Sequence, residues 1–124
     1  MPNHIHLLIW PNSEALISDF MRDFKSFTSK RIIRQAKVEK RTEWLTHFSD
    51  SGIETSRSAN KVWQDSYWEM NIFSEKFVHQ KLNYIHANPL RANLVEEPAE
   101  FPYSSYRNYV RDENWLIEID RGWR

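Results

Sequence analysis

The first ten residues, Met1-Pro2-Asn3-His4-Ile5-His6-Leu7-Leu8-Ile9-Trp10, restrict most strongly what this chain can fold into. Successive side chains of a β-strand point to opposite faces. This order therefore places His4, His6 and Leu8 on one face and Ile5, Leu7 and Ile9 on the other. The second face can anchor a strand in a core, while the first carries two imidazoles side by side, a reasonable pair of metal ligands. Alone, His-x-His is also the pattern of a hydrogen-bonded surface pair. Its meaning depends on whether the chain supplies a third ligand, a nucleophile and a binding surface.

The chain has 124 residues, enough for one domain with a single core. Aromatic residues make up 15% of it, six of them tryptophan, which excludes a disordered chain and suits both a core and a surface for stacking bases. The formal net charge is zero, but it is unevenly spread. Between Asp19 and Arg41 stand eight basic residues (Arg22, Lys25, Lys30, Arg31, Arg34, Lys37, Lys40 and Arg41) against Asp19, Asp23 and Glu39. Acidic residues gather later, around Glu96, Glu97 and Glu100. The absence of cysteine excludes disulfides and thiolate metal sites. No apolar run reaches membrane-span length and no signal pattern opens the chain, so the expected location is cytoplasmic, without a membrane partner.

After the opening strand, Pro11-Asn12-Ser13 reads as a turn, with Asn12 or Ser13 capping a helix and Glu14 in its first turn. Leu16/Ile17, Phe20/Met21, Phe24 and Phe27 recur at helical spacing, with Arg22, Lys25 and Lys30 mostly off that stripe. The cationic face is either a solvated surface or a phosphate-contacting one, with Ser26, Thr28 and Ser29 as additional donors. The pattern breaks between about 38 and 60, which reads as a loop or insertion containing His47. The aromatic stretch 61–71 is expected to give one or two short strands. A helix starts at Ser74, with Phe77/Val78, Leu82 and Ile85 facing the core, and is expected to stop before Pro89. On it Tyr84 and Asn88 share a face; His79 and His86 read as surface residues. Residues 96–107 read as a proline-punctuated loop and Trp115-Leu116-Ile117-Glu118-Ile119 as a last strand; together, about 96–124 form a C-terminal extension.

His4 and His6 offer two nitrogen ligands, Tyr84 a phenol and Asn88 an amide oxygen. Two imidazoles and one oxygen leave positions open for phosphate oxygens, an arrangement suited to activating a phosphodiester. A tyrosine beside such a phosphate is a candidate nucleophile.

The stretches Met1-Pro2-Asn3-His4-Ile5-His6-Leu7-Leu8, Phe24-Lys25-Ser26-Phe27-Thr28-Ser29-Lys30, Val62-Trp63-Gln64, Tyr84-Ile85-His86-Ala87-Asn88-Pro89-Leu90-Arg91-Ala92-Asn93-Leu94-Val95 and Tyr103-Ser104-Ser105-Tyr106 give the chain a specific likeness. It resembles the single-tyrosine HUH transposases, in the branch of REP-associated tyrosine transposases. The resemblance implies an α+β, ferredoxin-like fold, an antiparallel sheet with helices packed on it. It implies His4 and His6 as ligands of Mg²⁺ or Mn²⁺, Asn88 as third ligand or close to the metal, and Tyr84 as the nucleophile that stays joined to a 5′ phosphate. It further implies single-stranded or hairpin DNA at palindromic repeats as substrate, with Arg22, Lys25, Lys30 and Arg31 on backbone phosphates, and a homodimer as one possible assembly.

In that family the Met-Pro-Asn-His-x-His segment follows a strand, a helix and another strand. The expectation here is therefore an N-terminally truncated single domain over 1–124, with the histidine strand at a sheet edge. Two other readings stay open: a remnant that binds DNA without cutting it, and a metal hydrolase using His4 and His6 with a carboxylate such as Glu69.

Overall fold

The computed structural model describes residues 1–11, 14, 16–55, 59–112 and 116–121. They form two compact units, one of Trp10–Glu69 and one of Met1–Ile9 with Met70–Arg124.

The Trp10–Glu69 unit is built on α1 (Ile17–Val38), with α2 (Thr42–Thr55) packed against it. The periodic stripe of α1 does what its spacing implies. Phe20 stacks on Phe24 with centroids 5.8 Å apart, and Phe24 meets Trp63 at 6.1 Å. The Trp63 indole N–H donates to Thr28 Oγ1 at 2.8 Å, and Thr28 Oγ1 in turn donates to the Phe24 carbonyl at 2.7 Å. The indole N–H and the Thr28 hydroxyl that the packing encloses are thereby satisfied. The helix ends in a Schellman turn: Arg41 N–H donates to Ala36 O and Lys40 N–H to Lys37 O, with Lys40 at φ 55°. The expected caps Asn12 and Ser13 lie outside the described residues, and Leu16 occupies the N-cap without a side-chain bond. The stretch read as a loop between 38 and 60 instead carries α2, whose Phe48 carbonyl accepts from Lys61 N–H at 2.7 Å.

The other unit centres on α3 (Glu75–Arg91), followed by a 3₁₀ turn η1 (Pro98–Glu100) and α4 (Tyr106–Val110). Ser74 caps α3, its hydroxyl accepting from Phe77 N–H at 3.3 Å. Pro89 does not end the helix. It stands in the last turn, where its missing N–H removes only one intrahelical bond, and its carbonyl accepts from Leu94 N–H as the 6→1 bond of a second Schellman turn. Asn93, at φ 53°, holds the left-handed position that asparagine tolerates. Leu82, His86 and Pro89 form the buried stripe of α3. Residues 96–107, read as a loop, contain η1, closed by reciprocal bonds between Glu97 and Glu100, and the start of α4.

The α+β, ferredoxin-like sheet is not formed. Among the described residues there is no strand. A strand exists only by exchanging backbone bonds with a neighbour, and the described residues of 1–11 and 62–73 have no ladder partner. The alternation in Met1–Trp10 therefore buries neither face: Ile5, Leu7 and Leu8 are each at least 40% exposed. Trp115 lies outside the described residues, and 116–119 form no strand either.

Candidate nucleic-acid cleavage site

The opening segment meets α3 through His6, with His4 beside it. His4 Nδ1 is 2.7 Å from Asn3 Oδ1, an oxygen that can only accept, so Nδ1 carries the proton and Nε2 the lone pair. His6 Nε2 is 3.0 Å from Asn88 Nδ2, a group that can only donate, so here too Nε2 holds the lone pair. The two imidazoles meet edge to face with centroids 4.9 Å apart. Burial, then the neighbouring His4 and the N-terminal ammonium, hold His6 below the ordinary imidazole pKa and keep it neutral, the state a metal ligand needs.

Tyr84 stands one turn before Asn88 on α3, and its ring meets that of His6 edge to face at 5.9 Å. It is 47% exposed, open to a macromolecular substrate. The Arg91 guanidinium lies 5.6 Å from the Tyr84 ring centroid, placing a cation beside the phenol. His4, His6, Tyr84 and Asn88, four residues drawn from two distant parts of the chain, are thus brought together in one unit.

The donor types suit a divalent ion: His4 Nε2, His6 Nε2 and the Asn88 amide oxygen. The His6 lone pair is occupied by the Asn88 N–H, so ligation requires the Asn88 amide to turn and present its oxygen instead. No group of three or more His, Cys, Asp or Glu side chains able to hold a metal occurs among the described residues.

The four basic residues singled out from sequence belong to α1 in the other unit, and their surroundings differ. Lys25 Nζ donates to the carbonyls of Gln64, Asp65 and Ser66 at 2.7, 3.1 and 3.2 Å and lies 5.3 Å from the Tyr67 ring centroid. All three of its protons are engaged in holding the 64–66 turn to α1. Arg22 bridges Asp19 and Asp23, which raise its pKa. Lys30 and Arg31, with Arg34 and Lys37 one and two turns on, are exposed and make no ion pair among the described residues.

Three features were missed from sequence: the clamp made by Lys25, the guanidinium of Arg91 beside Tyr84, and the burial of His86. The last had a signal, since Leu82, His86 and Pro89 fall at i, i+4 and i+7.

A family model described as IS200-like transposase matches residues 1–88, a span holding His4, His6, Tyr84 and Asn88. The chain belongs to the IS200-like transposase family. A Haemophilus influenzae protein named "Putative REP-associated tyrosine transposase" is 26% identical to it over 114 residues, covering 91% of this chain and 58% of that relative. The chain thus spans less than two thirds of the relative's length. No solved structure matches it. Among the described residues, no helix of this transposase-family chain is long and apolar enough to cross a membrane.

Proposed function

We propose that the chain is a metal-dependent single-stranded DNA endonuclease and strand transferase that works through a covalent 5′-phosphotyrosine. The observation carrying this reading is the meeting of Tyr84 and Asn88 with His6, at 5.9 Å between rings and 3.0 Å between polar atoms. Membership of a transposase family supports DNA as the partner.

His4 and His6, with Asn88, would hold the ion, Mg²⁺ or Mn²⁺. When bound, it supplies Lewis-acid polarisation of the scissile phosphate. Tyr84 Oη attacks phosphorus, forming the Oη–P bond as the P–O3′ bond breaks. The leaving oxygen takes the electron pair and a proton to become a 3′ hydroxyl, and the phenol gives up its own proton. Attack of another 3′ hydroxyl on the same phosphorus reverses these changes and rejoins a strand, so no nucleotide cofactor is required. Arg91 beside the phenol offsets negative charge accumulating at the phosphate. On α1, Lys30 and Arg31, extended by Arg34 and Lys37, are the cations available to backbone phosphates. The DNA is single-stranded or hairpin-forming, at palindromic repeats.

Incubation with hairpin DNA and Mn²⁺, followed by denaturing electrophoresis, tests the reading. A covalent protein–DNA adduct that disappears in Tyr84→Phe is expected; cleavage that survives Tyr84→Phe contradicts it. A second reading, DNA binding without cleavage, is favoured by the exposed and unpaired opening segment that carries both histidines. Binding with no adduct in that assay is its signature.

A further inference from the structure

We propose that His86 and Ser105 form a positioning pair, which fixes the rotation of α3 that presents Tyr84 and Asn88 to His6. His86 is separated by two residues from each of them, so it projects ~200° away around the helix, to the opposite side. There it is only 7% exposed, its Nε2 3.0 Å from Ser105 Oγ, with the Tyr106 ring edge-on at 5.4 Å and Tyr109 at 5.7 Å.

An apolar residue at position 86 would fill this space at lower desolvation cost. What histidine adds is direction, because a hydrogen bond fixes orientation where aliphatic contacts tolerate sliding. The residues around Ser105 are themselves held, and its carbonyl accepts from Tyr109 N–H at 3.4 Å. Tyr106 N–H donates to Ser104 Oγ at 3.2 Å, and Arg107 Nε donates to the Ala99 carbonyl at 2.8 Å. Asn108, 4% exposed, donates to Ile117 O at 3.0 Å, while its own carbonyl accepts from Arg121 at 3.1 Å. The seat of α3 therefore lies among hydrogen-bonded residues beyond the 1–88 span of the family model. The C-terminal segment thereby acts on the nucleophile through the back of its helix.

The consequence for cleavage rate rests on the proposed function; the geometric claim does not. The test compares Ser105→Ala, His86→Phe and His86→Gln by nuclear Overhauser contacts between the Tyr84 and His6 rings, with helix content followed by circular dichroism. Ser105→Ala and His86→Phe are expected to lose the Tyr84–His6 cross-peaks while keeping their helix, and His86→Gln, whose amide can donate to or accept from the Ser105 hydroxyl, to recover them. At saturating DNA, the first two are expected to slow single-turnover adduct formation roughly ten- to a hundred-fold with unchanged DNA affinity, the mark of a misplaced reacting group. Cross-peaks of wild-type intensity in Ser105→Ala overturn the proposal, as does loss that only tracks loss of helix. Should His86→Phe fail to fold, Ser105→Ala decides, since it removes a single hydroxyl. A wild-type chain that forms no adduct refutes the proposed function, while the ring contacts still decide the positioning claim.

Discussion

His86 links the site to pH as well as to packing. Burial holds its pKa below the ordinary 6.5, so the folded chain resists protonation that the unfolded chain accepts. The stability this group contributes is complete above that pH. As the solution is acidified the unfolded state binds the proton first, and stability falls by up to about 1.4 kcal/mol per pH unit until the folded pKa is reached. His6 shifts in the same direction but is exposed, so its share is smaller. Urea midpoints between pH 7.5 and 5 are expected to decline in the wild type and to decline less in His86→Gln; equal slopes would remove His86 from the account. At this scale the sequence was readable where a residue's partner lies nearby or its chemistry is distinctive, as with Tyr84 and Asn88 on one helix face. It was unreadable where the partner is distant: nothing local says that Lys25 closes on the carbonyls of 64–66.

The ends of the helices are chemically specified, and one end is poorly served. Both α1 and α3 close with Schellman turns whose C′ residue is left-handed, Asn93 after α3 and Lys40 after α1. A lysine carries the Cβ penalty there that glycine avoids, partly offset by glycine's larger entropy loss. Lys40→Gly is expected to stabilise the Trp10–Glu69 unit by about 0.5 kcal/mol, and Asn93→Gly to change its unit less. Chemical denaturation of both variants checks this, and a destabilised Lys40→Gly would show that the lysine side chain matters more than its backbone. The Ser74 cap of α3 was legible because capping is local chemistry. The end of α3 was misplaced because the bias against helix before proline is only a tendency, and the N–H that Pro89 lacks removes a single intrahelical bond in the last turn.

At the scale of the molecule, the sheet was the part the sequence could not specify. Alternation in Met1–Trp10 states which faces a strand would have, but a strand also needs a partner, and pairing is not a local property. Charge distribution, by contrast, was visible, and the structure sorts the cations by whether they are already engaged. Neutralising Lys30 and Arg34 with glutamine is expected to lower the salt slope of single-stranded DNA binding by about 0.7 for each phosphate that is no longer neutralised. Lys25→Gln is expected to lower thermal stability, because its three carbonyl bonds disappear, while the slope changes less. Binding isotherms over a range of ionic strengths separate the two, and a slope unchanged in the Lys30/Arg34 variant would take this face of α1 away from DNA. The central claim concerns a single oxygen among the five tyrosines of the chain. Trapping the protein on 3′-labelled hairpin DNA with Mn²⁺, digesting it and locating the nucleotide-bearing peptide by mass spectrometry tests that claim most directly. The phosphate is expected on Tyr84; a link to Tyr67, Tyr103, Tyr106 or Tyr109, or cleavage leaving no covalent link, would contradict it.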